Sequence, residues 1–316
     1  MDIAIRTQRL AKIYRSGFWR IPFQGLHDLD LEVPSGTSFG FVGPNGAGKT
    51  TTIKILMGLQ GATSGEAWIH GVPIRDPASR RSVGFLPERP YFYDHLTAGE
   101  FLDFYGRLSE VHEPERTQRA TRLLERVELA RFRDVPLGKF SKGMLQRAGL
   151  AQALMGDPGL LVLDEPMSGL DPLGRVLVRD IILEERRAGR TVFFSSHILS
   201  DIESICDSAA ILVRGQLRGQ GRVADLIGGA VESVDCDLRV EGMLVLPEGA
   251  TVKRHEGAAW SVCVPPNGVD PLIDEVRRRG GSIVSVHPRA RTLEQVLLDE
   301  VERARPVDAK HLGVLA

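Results

Sequence analysis

Cysteine is scarce: only Cys206, Cys236 and Cys263 occur in 316 residues. They lie far apart with no CxxC spacing, which excludes a disulfide framework and a cysteine-rich zinc site and leaves buried free thiols in a reducing compartment as the expectation. An excess of one charge is also missing, with 40 basic residues against 41 acidic. The balance argues against a surface that wraps nucleic acid or coats a membrane, so no nucleic-acid partner is expected. No apolar run approaches the roughly 18 residues that span a bilayer, and the opening Met1–Arg6 lacks the apolar core of a signal peptide. If the chain works at a membrane, the span is expected to come from another subunit. Internal repeats and low-complexity segments are absent as well. The length suits one large domain or two modest ones, each with a real core.

Against this plain background one segment stands out. Residues Gly43-Pro44-Asn45-Gly46-Ala47-Gly48-Lys49-Thr50 fit the pattern GxxxxGK[ST] and follow the apolar run Ser38–Val42, the strand-to-helix context that a phosphate loop requires. The glycines allow consecutive N–H groups to curl around phosphates, a helix starting near Lys49 adds its positive end, and Lys49 supplies a mobile cation. Thr50 is placed to offer its hydroxyl to Mg²⁺, and Thr51 follows it in the same helix start. A nucleoside triphosphate site is therefore expected here.

Downstream, Leu160–Asp164 reads as a short buried strand ending in two carboxylates, Asp164 and Glu165, after the turn Gly156–Gly159. A buried parallel strand delivers its last residues to the ligand edge of a sheet. Asp164 would hold Mg²⁺ through water, and Glu165 would polarise a water for attack on the γ-phosphate. A strand ending in a solvated acidic turn is the plainer alternative, outweighed by the phosphate loop beside it.

The segment between these two motifs, Phe140-Ser141-Lys142-Gly143-Met144-Leu145-Gln146-Arg147, completes a set. The chain resembles the nucleotide-binding subunit of ATP-binding cassette (ABC) transporters, whose signature is usually Leu-Ser-Gly-Gly-Gln. Ser141 and Gly143 match and Lys142 and Met144 depart, while Gln146 and Arg147 match what normally follows. On its own chemistry Ser141 is a good N-cap for the apolar helical pattern Leu145, Leu150, Ala153, Leu154. The resemblance implies that Ser141 and Gly143 contact the γ-phosphate of ATP held by a second copy. It thus implies ATP and Mg²⁺ as ligands, a head-to-tail homodimer and a separate integral-membrane permease as partners, and a place on the cytoplasmic face of the membrane.

Further residues are carried by the same resemblance. Tyr14 matches the aromatic that stacks on adenine, Asp171 in Ser168–Asp171 matches the loop linking the two sites of the dimer, and His197 after the run Thr191–Ser196 matches the histidine contacting the γ-phosphate. As lone residues, Tyr14 and His197 would more often be core or merely structural. Glu88 stands where many members carry a glutamine that contacts Mg²⁺ or the attacking water; an acid beside Mg²⁺ stays ionised and still offers an oxygen. The Leu86-Pro87-Glu88 form and the Lys142-Gly143-Met144 signature resemble the subgroup that energises ABC-2-type exporters. The implied catalytic set is Glu165, His197, Glu88 and Lys49.

The expected fold class is α/β, a P-loop NTPase cassette with an antiparallel β element over about residues 3–35 and a helical subdomain over about 88–157, plus a small C-terminal α+β domain. The antiparallel element is read from Ile3–Ile5, Leu10–Tyr14 and the alternating Leu29–Val33, with an apolar hairpin-like insertion at residues 17–23. Thr97–Glu100 is a capping box opening one helix, and Pro114 opens another. The expected cassette covers residues 1–228. The remainder, 229–316, reads as strands at 234–240, 259–264 and 282–287, a helix at Asp270-Pro271 and a last helix from the capping box Thr292–Gln295. Arg277–Arg279 reads as a solvated helix end.

Overall fold

Five-residue runs that are buried at every position, Ser38–Val42 and Leu160–Asp164, are interior strands of the principal sheet, as expected of parallel strands covered on both faces. The structure is a computed structural model and describes residues 2–16, 21–228 and 231–304. Its elements run β1 (Ile3–Ser16), β2 (Ile21–Pro34), β3 (Ser38–Val42), α1 (Lys49–Leu56), β4 (Ser64–Ile69), β5 (Val72–Pro73), β6 (Val83–Leu86), α2 (Ala98–Leu108), α3 (Glu115–Arg126), α4 (Lys142–Leu154), β7 (Leu160–Asp164), α5 (Pro172–Arg187), β8 (Thr191–Ser196), α6 (Leu199–Ile205), β9 (Ser208–Val213) and β10 (Gln216–Arg222). There follow α7 (Val223–Leu226), β11 (Val231–Arg239), β12 (Thr251–Glu256), β13 (Ala259–Val264), α8 (Val269–Arg278), β14 (Ser282–Ala290) and α9 (Leu293–Arg303). The chain divides into two compact units, one of residues 1–223 joined by the residues from Leu297, the other Ala224–Val296.

In the first unit, an antiparallel sheet of order β2-β1-β4-β5 and a six-stranded sheet of order β10-β9-β3-β8-β7-β6 share one core. All neighbours in the larger sheet are parallel except the β10–β9 pair. Leu10, Leu26 and Leu31 from the smaller sheet meet Phe39, Phe41 and Phe193 from the larger, with Ile53 of α1 among them. Phe193 sits 5.5 Å from Phe41 and 6.0 Å from Phe39, ring to ring. Such rings contribute beyond the area they bury. α2 starts on the expected box, Thr97 and Glu100 bonding reciprocally, and Ser141 caps α4 by accepting from the Met144 N–H. Arg126 of α3 reaches Glu184 and Glu185 of α5, tying helices that are distant in sequence.

The second unit holds the antiparallel sheet β12-β13-β11-β14. Its inward-facing residues Val234, Cys236, Leu238, Trp260, Val262 and Val264 pack against Leu272 and Val276 of α8.

The structure amends the sequence reading at several places. The segments at 3–5 and 10–14 are a single strand, β1, because Arg9 adopts a left-handed φ of 44° and register shifts around Leu10 absorb the break in alternation. Of the expected insertion, residues 17–20 lie outside the described residues, and Ile21–Phe23 open β2 with Phe23 opposite Tyr14. Strand β12 is exposed at all six positions, so no hydrophobic alternation announced it. From Leu297 the last helix groups with the first unit, where Arg214 donates to the Ala304 carbonyl. Of the cysteines, Cys236 is buried while Cys206 and Cys263 are partly so, and all three are free thiols.

Candidate functional site

Four neighbouring parallel strands, β3, β8, β7 and β6, end at the same edge of the principal sheet. The chain leaving each one contributes to one cleft of about 500 Å³, lined by Tyr14, Phe23, Gly25, residues Asn45 to Thr51, Glu88, Glu165, Ser168 and His197. Strand ends of this kind are where open α/β sheets bind ligands.

After β3 the chain turns so tightly that a Cβ on Gly43 would lie 2.1 Å from the Leu212 carbonyl oxygen. Gly48, at φ 107°, precedes α1 and offers no side chain to satisfy the first-turn N–H groups. Those donors and the positive helix end suit an anion. The Lys49 side chain is almost fully buried; its ammonium donates to the carbonyls of Gly43 (2.6 Å) and Pro44 (3.3 Å) and stands 3.8 Å from Glu165 Oε1. Burial pushes its pKa down, with Glu165, Asp164 and Glu88 opposing. A desolvated cation held mainly by neutral carbonyls is poised to gain from an incoming phosphate.

Asp164, at the end of β7, is 2% exposed. Its Oδ1 accepts from Ser195 Oγ (2.7 Å) and Thr50 Oγ1 (3.3 Å). Burial pushes this carboxyl up from the ordinary aspartate value, and Glu88 and Glu165 push the same way against those two hydrogen bonds. Among the described residues no cluster of three or more His, Cys, Asp or Glu side chains could hold a metal ion by itself. Hard oxygen donors such as the Thr50 hydroxyl and Asp164 fit Mg²⁺, which is held by one or two protein oxygens together with phosphate oxygens and water.

Glu165 has φ 53°, a left-handed conformation that costs a non-glycine residue energy and persists only where its surroundings enforce it. Its N–H donates to Ser195 Oγ (3.0 Å), its carbonyl accepts from Gln146 Nε2 (3.3 Å), and its Oε2 pairs with His197 Nδ1 (2.7 Å). His197 keeps about half of its side chain exposed toward the cleft, whereas Glu165 is nearly covered. Tyr14 reaches the same cleft from β1, its hydroxyl 2.9 Å from Thr51 Oγ1 and 2.8 Å from the Gln60 amide nitrogen.

Thus Tyr14, the loop residues through Thr51, Glu88, Glu165 and His197 converge, with Asp164 buried directly behind Thr50. Ser141, Gly143 and Asp171 do not line this cleft. Asp171 caps α5, accepting from the Gly174 N–H at 2.9 Å. A Cβ on Gly143 would lie 3.4 Å from the Leu170 side chain, so the start of α4 adjoins the Ser168–Asp171 loop. Sequence reasoning overlooked Ser195, which is fully buried and bridges Asp164 to the Glu165 N–H. The available signal was a pair of hydroxyls, Ser195 and Ser196, closing a buried strand at the ligand edge of the sheet. The Gln146 bonds to the Glu165 and Pro166 carbonyls, and the presence of Ser168 and Phe23 in the cleft, had no local signature.

The sequence model of the family described as ABC transporter matches residues 26–168. An ABC transporter ATP-binding protein of Synechocystis is 49% identical over 71% of this chain and 64% of its own length. A protein of the same description from Nostoc is 39% identical over 95% of this chain and 90% of its own length, and one from Bacillus subtilis 39% identical over 94% and 99%. Among solved structures, an ATP-binding subunit of an ABC transporter matches with TM-score 0.65 and 31% identity over 72% of this chain and 92% of that one. A dimeric cassette bound to ADP and phosphate matches with TM-score 0.64 over 69% and 98%, and at 23% identity it supports the fold alone.

Proposed function

Because this chain belongs to the ABC transporter family, we propose that it is the ATP-binding and ATP-hydrolysing subunit of an ABC-2-type exporter, driving a separate permease from the cytoplasmic face of the membrane. The single observation that carries the reading is the convergence, on one cleft, of a phosphate loop with a buried cation and a strained carboxylate paired to a histidine. In this reading residues 1–228 form the cassette and 229–316 an accessory region, whose last part, from Leu297, groups with the first unit.

ATP enters with its adenine against Tyr14 and its phosphates in the loop from Gly43 to Thr51, where Lys49 exchanges its carbonyl partners for phosphate oxygens. Mg²⁺, when bound, neutralises phosphate charge beside Thr50, Asp164 and Glu88. Glu165 takes a proton from a water as that oxygen attacks the γ-phosphorus; the bond from γ-phosphorus to the β–γ bridging oxygen breaks, leaving ADP and phosphate. His197 holds the Glu165 carboxylate and faces the γ-phosphate position. Because Ser141, Gly143 and Asp171 lie off this cleft, the reading assigns them to the ATP of a second copy, so that two sites close together in a head-to-tail dimer. Leu86-Pro87-Glu88 and Lys142-Gly143-Met144 support the exporter subgroup. No helix among the described residues is long and apolar enough to cross a membrane, and the reading gives the transport path to the permease.

Light scattering on Glu165→Gln protein with and without Mg-ATP tests the dimer, and steady-state ATPase assays on wild type and variant test turnover. A shift from monomer to dimer on adding Mg-ATP, with phosphate release by wild type alone, is expected. A monomer in both conditions, or unchanged turnover in the variant, would overturn the dimer or the base assignment respectively.

A further inference from the structure

Gln146 lies in the middle of α4 and is 1% exposed. Its single side-chain nitrogen donates to two consecutive carbonyls beyond β7, those of Glu165 (3.3 Å) and Pro166 (3.2 Å). Buried carbonyls need such partners, but the first of these belongs to Glu165, whose backbone is left-handed at φ 53°, and the second to the residue that follows it. On the other side of that residue, the Glu165 N–H is held by Ser195 Oγ. The strained residue is therefore gripped at its N–H from β8 and at its C=O from α4, and its carboxylate is carried into the cleft, toward His197 and Lys49. The same helix begins with Ser141 and Gly143, five and three residues before Gln146 in the chain.

We propose that Gln146 is a positioning residue for Glu165: its bonds to the two carbonyls hold the left-handed turn that aims the carboxylate, and they link the seating of α4 to that aim. The inference rests on the hydrolytic reading of Glu165 given above. Gln146 itself touches no substrate. When α4 shifts, the Glu165–Pro166 carbonyls lose their donor and the carboxylate swings from its place, so the presence of a partner at the Ser141 end of the helix is felt at the base. A displacement of about 1 Å in a reacting group lowers rates on the order of 10²-fold.

Two variants of the full chain separate positioning from plain structural support. Gln146→Met keeps the volume and removes the donor; Gln146→Glu keeps the shape but donates only while its carboxyl is protonated. Burial against two carbonyl oxygens favours the neutral acid and so raises that carboxyl's pKa. The expected result is a kcat about 10²-fold below wild type for Gln146→Met at every pH, with KM for Mg-ATP within about twofold. Gln146→Glu should approach wild type at the acid end of the range and fall toward Gln146→Met as pH rises, a titration absent from both other proteins. Binding of a fluorescent ATP analogue and circular dichroism of each variant should match wild type. The proposal is overturned if Gln146→Met turns over at the wild-type rate, if KM rises with kcat unchanged, if Gln146→Glu shows no extra titration, or if the loss merely tracks the unfolded fraction. Glu165→Gln assayed alongside distinguishes the levels: full turnover in that variant removes the base reading itself, whereas an inactive Glu165→Gln beside a wild-type-like Gln146→Met removes only the role of Gln146.

Discussion

The two units of the chain use charge in opposite ways. At the sheet edge of the first unit, Lys49, Asp164 and Glu165 are all below 10% exposed, and the two charged groups that lead the site, Lys49 and Asp164, are displaced by burial from their ordinary pKa values toward neutrality. In the second unit Asp235 sits on a sheet face between Lys253 (2.6 Å) and Arg289 (2.5 Å), and the Lys253 bond leads in holding its carboxyl below the usual range. Glu275 of α8 is buried, but it is fully paired with Arg278 and Arg279 at the helix end, whose side chains reach solvent. Charges that are buried without full compensation are waiting for a ligand; charges that are paired near water are finished. The first unit also bends a glutamate into the left-handed region at the cleft, where strain is retained because the fold enforces it.

That contrast is broken most severely at Glu165. Its replacement by glutamine should lower multiple-turnover ATPase on the order of 10³-fold, as expected for loss of a general base, while equilibrium dialysis shows ATP affinity retained. Next comes Ser195→Ala, which strips one donor from Asp164 and the acceptor from the Glu165 N–H. Leaving buried polar groups unsatisfied costs about 1–3 kcal/mol, to be read from denaturant midpoints, and turnover should fall about tenfold through misplaced carboxylates.

The Asp164 pKa sharpens the comparison further. Its folded-state pKa is raised, so the folded chain keeps that proton to higher pH than the unfolded chain, and its contribution to nucleotide-free stability falls as pH rises from the ordinary aspartate range through the raised value. Carboxylates with lowered pKa, Asp103 and Asp235 among them, change in the opposite sense. Subtracting Asp164→Asn from wild type across pH in chemical denaturation should therefore isolate a decline with rising pH. The smallest effect belongs to the second unit. Asp235→Asn breaks ion pairs whose basic partners are 35% and 60% exposed, and the change in unfolding free energy should stay within about 1 kcal/mol with ATPase unaffected.

Legibility in the sequence followed the range of the interactions involved. The phosphate loop, the buried strands β3 and β7 and the caps at Thr97, Ser141 and Thr292 were readable because each is set by residues within a few positions: Ser141 bonds to the N–H three residues on, and Thr292 exchanges bonds with Gln295 in the same way. Strand β12 was not, since all six residues are exposed and its place depends on pairing with β13. The continuity of β1 through Arg9 depended on its partners too, because the register with β2 and β4 shifts around that residue to keep Leu10 inside.

Sequence alone thus determined that a phosphate loop, two adjacent carboxylates, a capped glycine-bearing helix start and a strand-end histidine occur in this order, because each is a local pattern with its own chemistry. Only the tertiary structure decided which of them meet. Asp164 faces Ser195 because β7 and β8 are parallel neighbours in that register. Gln146 reaches the Glu165 carbonyl from a separate helix, and Glu88 enters the cleft from the end of β6 while Ser141 and Asp171 stay outside it. Strand order and register are fixed by the packing of the whole core rather than by any local propensity, and residues as far apart in sequence as Thr50 and Asp164 become neighbours only once that core has formed.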